Sequence, residues 1–315
     1  MTIDKKFIDI FLSVSSKAAL AAHYLVGKKD KIAADKAAVD SMRHQLNKID
    51  MKGEIVIGEG ELDEAPMLYI GEKLGTCNGP NFDIAVDPLE GTNFAANNLP
   101  GALSVIAVSE KKNLFNAPET YMEKIASNIM ENGVLDLDYS IKKNIDNLAE
   151  FKNKKPENLT VCILDRPRHK DIIDNLKKLK VNLKLITDGD VSGALLVTNE
   201  KYKVDLFLGV GGGPEGVLAA SALDSFNCNF QGRFLFKTDK DKLRASKMGI
   251  KDLNKKYELK EIVSGDSIFC ATGITSGDLV SGISIEGNEF ISETLVTHKA
   301  SDLKKVIKLK QKISG

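Results

Sequence analysis

The chain has 315 residues, 43% of them hydrophobic and 28% charged, which is the composition of a globular protein with room for two layered domains at about 100 to 200 residues each. Lys plus Arg and Asp plus Glu both number 44, so the formal net charge is zero and no basic field exists to hold a nucleic acid or an anionic membrane. The start, Met1-Thr2-Ile3-Asp4-Lys5-Lys6, lacks the features of a secretion signal and no apolar run has membrane-spanning length, so a cytoplasmic protein is expected.

Apolar residues recur at helical spacing from Phe7 to Leu25, with Gly27 as the stop, and a second helix is predicted from about Ala33 to Asn47. Glu54 to Gly58 reads as a strand. It empties into Glu59-Gly60-Glu61-Leu62-Asp63-Glu64, four acids within six residues, followed by a helix that Pro66 opens. The next stretch, Asp83-Ile84-Ala85-Val86-Asp87-Pro88-Leu89-Glu90-Gly91-Thr92, is the one the rest of the chain serves. It reads as a short buried strand that Pro88 ends, leaving Asp87 and Glu90 at a turn with the Thr92 hydroxyl. Two carboxylates so placed need a cation between them or a shared proton, and a hard divalent metal is the simplest resolution. Taken alone, the same run is also an ordinary solvated turn.

Ala102 to Val108 is a fully apolar strand. Helices are predicted around Thr120 to Met130 and near Ile141 to Phe151. The Lys- and Asn-rich tract Lys152 to Asn158 is the linker candidate, giving an N-terminal α+β domain over 1–155 and a C-terminal α/β domain over 156–315. Beyond it strands (159–164, 183–186, 205–210) alternate with helices (169–179, 191–197, 216–223), which argues for an α/β sheet whose ligands collect at strand ends. Ile268 to Val296 reads as further strands and Asp302 to Lys312 as a basic closing helix. The four cysteines are widely spaced with no Cys-x-x-Cys and are read as reduced thiols.

Acids at strand ends, Glu59 with its neighbours, Asp87 with Glu90, and Glu215, together with Asp35 in the second helix, could supply oxygen ligands to two or three divalent ions. A donor set without a Cys or His cluster selects Mg²⁺ or Mn²⁺. Asp35, Asp63, Glu64 and Glu215 also read as acids of a helix start, a role without chemistry. The run Gly211 to Gly216 formally matches a dinucleotide fingerprint, but Pro214 and Glu215 occupy the loop that would approach a pyrophosphate. Asp165-Arg166-Pro167-Arg168-His169 offers two guanidinium groups for phosphate, or two surface ion pairs, and Asp188-Gly189-Asp190 offers acceptors for sugar hydroxyls, or a turn and helix cap. His23, His44 and His298 have no ligand-spaced partner and are read as structural or surface residues.

The stretches Ile57 to Glu72, Asp83 to Thr92, Asn116-Ala117-Pro118, Tyr121-Met122-Glu123-Lys124, Pro167-Arg168-His169, Asp188-Gly189-Asp190, Gly212 to Gly216 and Ala271 to Thr275 resemble the bacterial class II fructose-1,6-bisphosphatases of the GlpX type. The Asp-Pro-x-acid-Gly-Thr run is shared with the wider inositol monophosphatase-like sugar phosphatases. The resemblance covers nearly the whole chain. It implies a layered α-β-α-β-α sandwich and hydrolysis of D-fructose 1,6-bisphosphate to D-fructose 6-phosphate and phosphate in gluconeogenesis and glycerol metabolism, with Mn²⁺ or Mg²⁺ as cofactor. Sedoheptulose 1,7-bisphosphate, or another sugar or inositol phosphate, is the alternative substrate. A homodimer or homotetramer is the expected assembly.

By that resemblance Asp35 and Glu59 hold one metal, and Asp87, Glu90 and Glu215 another. Glu90, Gly91 and Thr92 border the 1-phosphate. Tyr121, Arg166, Pro167, Arg168, Asp188, Gly189, Asp190 and Gly212 position the sugar and its distal phosphate, with the C-terminal domain expected to carry those contacts and the N-terminal domain most of the metal ligands. Lys31, Asp63, Glu59 and Thr92 fall where the family keeps residues needed for activity. Lys36, Arg166 and Gly213 depart from the usual pattern without touching an expected metal ligand.

Overall fold

The computed structural model describes residues 2–58 and 68–313. In chain order it begins with α1 (Lys6–His23), α2 (Lys31–Leu46), β1 (Lys52–Ile57), β2 (Lys73–Leu74), β3 (Asn81–Glu90), α3 (Thr92–Ala96), β4 (Leu103–Glu110), β5 (Tyr121–Ser127) and α4 (Ile141–Phe151). It continues with β6 (Thr160–Leu164), α5 (Lys170–Lys178), β7 (Asn182–Ile186), α6 (Asp190–Leu195), β8 (Leu206–Gly212), α7 (Gly213–Ser225), β9 (Asn229–Leu235), α8 (Asp239–Lys247), β10 (Lys256–Glu258) and α9 (Leu259–Ile262). The chain ends in β11 (Ser267–Gly273), β12 (Ser284–Glu286), β13 (Glu289–His298) and β14 (Leu303–Lys312). The fold is mixed α/β, as expected. No helix among the described residues is long and apolar enough to cross a membrane.

Two compact units emerge: residues 1–116 with 263–315, and residues 117–262. This differs from the single cut expected at 155/156. Lys152 to Asn158 only joins α4 to the 3₁₀ turn before β6, within the second unit, while β11 to β14 return to the first unit's sheet.

The first unit's sheet has the order β12-β13-β11-β4-β3-β1-β2, with β14 along β13. β1 and β3 run parallel and the other pairs are antiparallel. Helix α1 exists because Phe7, Phe11, Val14 and Ala18 form one apolar stripe, and it lays that stripe on Ile84, Val86, Ile106, Val108 and Ile268 of the sheet. Phe82 of β3 meets Phe7 edge-on at 5.0 Å and 85° between ring planes, and is 2% exposed. Phe82→Ala is expected to cost about 3–5 kcal/mol, read as a lowered denaturation midpoint at constant slope.

Three expectations yield to the sheet. Pro88 does not end β3; the strand continues to Glu90 through a register shift against β4 between Asp87 and Glu90, a bulge where a residue without an N–H is tolerated. The segment expected as a helix around Thr120 to Met130 is β5, because β8 and β9 flank it and take up its backbone groups over its whole length. The expected closing helix is β14, whose Leu303, Ile307 and Leu309 share one face, packed on the core, while it pairs with β13 over ten residues. The acidic stretch Glu59 to Glu64 and the helix entry at Pro66 lie outside the described residues, and Leu68 to Glu72 carry no helix.

The second unit's sheet has the order β10-β9-β5-β8-β6-β7, with β6 parallel to both β7 and β8. Helix α4, capped by Ser140 accepting from the Lys143 N–H, buries Ile145 and Leu148 against Val161 and Leu206. All four cysteines are free; Cys162, Cys228 and Cys270 are buried and Cys77 is exposed.

Candidate functional site

In the first unit, α2 starts at Lys31 with Asp30 as its cap, the Asp30 carboxylate accepting the Ala33 N–H at 2.9 Å. Ala34 and Ala38 of this helix pack with Leu89 and Ala95, so its first turns lie against the end of β3 and against α3. The α1–α2 connection adds backbone bonds, Gly27 N to Ala95 O and Lys29 N to Ala96 O, both 2.9 Å. Lys31 and Asp35 are thereby carried on a helix tied to the segment Glu90 to Thr92. Glu90 is buried, Asp87, Asp35 and Thr92 are partly buried, and Lys31 is exposed. Gly91 takes φ 77°, and a Cβ there would lie 2.8 Å from the Phe94 ring, so the turn that presents Glu90 and Thr92 demands glycine. β1 runs parallel to β3 and ends at Ile57, level with Ala85, while β3 continues to Glu90. Glu59 and Asp63 lie outside the described residues.

In the second unit, the carboxyl ends of β7, β6 and β8 carry Asp188 to Asp190, Arg166 to Arg168, and Gly212 to Glu215 respectively. The residues expected to position a sugar phosphate therefore share one sheet edge. Tyr121, first residue of β5, is opposite Gly212 in register. The Arg168 guanidinium stands 5.0 Å from the Tyr121 ring centre and its Nε donates to Val210 O at 2.8 Å. Lys237 Nζ reaches the same ring at 5.2 Å. Arg166 lies 3.7 Å from an Asp188 carboxylate oxygen.

His169 holds this edge together. It is fully buried, its Nδ1 donates to Leu164 O at 2.6 Å and its Nε2 accepts the Val210 N–H at 2.8 Å, a pair of bonds that only the neutral ring makes. Burial pushes the imidazole below its usual range, with Arg168 adding to the effect; the bond to Leu164 O and the Asp190 carboxylate oppose it. A depressed folded value means the unfolded chain binds the proton more readily. Stability is expected to be full above the free imidazole's value of 6.5 and to fall as pH drops below it. His169→Asn or His169→Gln should remove that part of the pH dependence in denaturant titrations across this window.

Glu215 sits in the first turn of α7, after Pro214. Burial holds its carboxyl above the ordinary glutamate range; Lys124 opposes this, and Asp190 and Asp188 add to it. A Cβ at Gly212 would lie 1.9 Å from Glu215 Oε2, and one at Gly211 would lie 1.9 Å from Asp190 Oδ2. The two glycines are thus the space into which two carboxylates fold. Such a partly buried acid, with carboxylates for neighbours and no imidazole or thiol in the candidate ligand set, fits a hard divalent cation. Among the described residues, no group of three or more His, Cys, Asp or Glu side chains stands together as a metal cage. Of the expected ligands, Asp35, Asp87 and Glu90 lie in the first unit and Glu215 in the second.

Sequence reasoning passed over Lys124, Lys237 and the role of His169. The signal for Lys124 was available only once β5 is read as a strand: it shares a face with Met122 and Ala126, a charge in an apolar row.

The model of the bacterial, glpX-encoded fructose-1,6-bisphosphatase family matches residues 6–311. The chain is 42% identical over 300 residues to fructose-1,6-bisphosphatase 1 class 2 of Escherichia coli K12, covering 91% of this chain and 89% of that protein. It is 40% identical over 311 residues to the Haemophilus influenzae fructose-1,6-bisphosphatase class 2, covering 94% and 93%. It is also 40% identical over 324 residues to a Synechococcus protein described as D-fructose 1,6-bisphosphatase class 2/sedoheptulose 1,7-bisphosphatase, covering 95% and 93%. Among solved structures, the IMPase of Thermotoga maritima is 15% identical with a TM-score of 0.34, covering 61% of this chain and 72% of that one, a likeness too distant to bear on the chemistry. With nearly its full length matched by one family model and by these relatives, the chain belongs to the bacterial class II fructose-1,6-bisphosphatases of the GlpX type.

Proposed function

We propose that this protein hydrolyses D-fructose 1,6-bisphosphate to D-fructose 6-phosphate and phosphate, in the gluconeogenic direction, with Mn²⁺ or Mg²⁺ as cofactor. The observation that carries the reading is the edge of the second sheet, where Arg166, Arg168 and Tyr121 stand beside Asp188 and Asp190. Cations for a phosphate adjoin acceptors for a polyol there, in a chain of this family.

Asp35 and Glu59 would hold one cation, and Asp87, Glu90 and Glu215 another. When bound, the cations polarise the phosphoryl oxygens and lower the pKa of the attacking water. Glu90, Gly91 and Thr92 border the reacting phosphate, with the Gly91 and Thr92 N–H groups receiving charge that builds on its oxygens. Thr92 orients the attacking water, Asp63 and Lys31 complete the proton and charge balance, and Arg166 to Arg168 with Tyr121 fix the distal phosphate. Asp188, Gly189, Asp190 and Gly212 hold the sugar between the two phosphates.

Phosphate release measured over a panel of sugar mono- and bisphosphates tests this. Fructose 1,6-bisphosphate is expected to lead, and a monophosphate turned over equally well would contradict it. Sedoheptulose 1,7-bisphosphate is the second reading, favoured by the description of the Synechococcus relative. It presents the same two terminal phosphates and differs only in the polyol.

A further inference from the structure

We propose that Lys124 is a positioning residue for the substrate's sugar: it grips one oxygen of Asp190 and so presents the other to a sugar hydroxyl. The proposal deepens the functional reading above and rests on it. Lys124 is 1% exposed and Asp190 9% exposed, and the ammonium makes an ion pair and hydrogen bond to Asp190 Oδ2. Asp190 Oδ1 is buried and has no hydrogen-bond partner among the described residues. A buried carboxylate oxygen left in that condition is costly to the free protein, which is the state expected of an acceptor whose partner arrives with the ligand.

The surroundings are built around this pair. Lys124 lies opposite Gly209 in the β5–β8 register and Met122 opposite Gly211, and a Cβ at Gly211 would collide with Asp190 Oδ2. On the other side the lysine stem packs on Gly216 of α7, where a Cβ would come within 3.2 Å of its Cε. Bare backbone on both sides thus lets a long cation reach a short acid at the first position of α6. Asp190 shares its sheet edge with Tyr121 and Arg168, so a polyol attached to the phosphate held there comes to the unpartnered oxygen. A lysine that served only to neutralise buried charge would not need its partner's second oxygen left without a bond.

The test compares Lys124→Met, Asp190→Asn and the double variant with the natural protein, with thermal melts alongside. KM for fructose 1,6-bisphosphate and the inhibition constant of fructose 6-phosphate are expected to rise together by about tenfold or more, as loss of a charge-assisted bond implies. kcat should change by less than about threefold, the pattern of lost uniform binding. Inhibition by inorganic phosphate should be unaltered. The double variant should be no worse than the poorer single one, because the two residues act as a unit. KM unchanged in Lys124→Met, or fructose 6-phosphate and inorganic phosphate weakened equally, overturns the proposal. Asp190→Asn keeps the side chain's shape and leaves β5 untouched, so it decides the matter should Lys124→Met fail to fold. An unmodified protein without activity on fructose 1,6-bisphosphate would instead contradict the functional reading itself.

Discussion

Glu215→Gln is expected to lower kcat on fructose 1,6-bisphosphate by about 10³-fold while leaving the melting temperature nearly unchanged. The amide keeps the shape that fills the space over Gly212 but removes the charge. In the free protein that charge is a burden: burial and the neighbouring Asp190 and Asp188 raise the carboxyl's proton affinity, and Lys124 offsets this only in part. A carboxylate kept where it is disfavoured is expected to serve a cation, and removing a group that stabilises developing phosphoryl charge costs on the order of 10²–10³ in rate. Asp87→Asn and Glu59→Gln should behave alike. If Glu215 is only a first-turn helix acid, the Gln variant will retain activity within about twofold, because a dipole contact of about 0.3–1 kcal/mol touches stability alone.

Arg168→Ala should act on the other parameter. Its guanidinium is held by the Val210 carbonyl and by the Tyr121 ring, so it is already oriented before any phosphate arrives. A charge-assisted bond of about 1.5–3 kcal/mol corresponds to about 10- to 150-fold in KM, with kcat little changed because the distal phosphate does not react. Arg166→Ala, whose nearest acid is Asp188 at 3.7 Å, should show a smaller rise. Steady-state kinetics on the bisphosphate separates these cases, and a fall in kcat with KM unchanged would place Arg168 with the reacting phosphate instead.

Much of the architecture is legible in local pattern. The stripe of α1 and the strand–helix alternation from β6 to α7 follow from the spacing of apolar residues and from the breaks between them. β5 and β14 are misread for related reasons. In Tyr121 to Ser127 a buried lysine interrupts the period-two row, and its ion partner Asp190 lies 66 positions away. In Leu303 to Lys312 the apolar positions 303, 306 and 307 satisfy a helical repeat while 303, 307 and 309 satisfy a strand's, and only pairing with β13 decides. The return of the last strands to the first sheet leaves no local trace, which is why a Lys-rich loop looks like a domain boundary. At the site, the glycine run and the acids are visible because their residue types are unusual for their positions. His169 is not, since its two backbone partners are set by the meeting of β6 and β8.

The central claim is that carboxylates on separate strands serve divalent cations in cleaving a phosphoester. The most direct test is phosphate release from fructose 1,6-bisphosphate in excess chelator, followed by titration with Mn²⁺ and Mg²⁺. Release is expected to be lost completely and to recover on adding either ion. Release that continues at the original rate in excess chelator would contradict it.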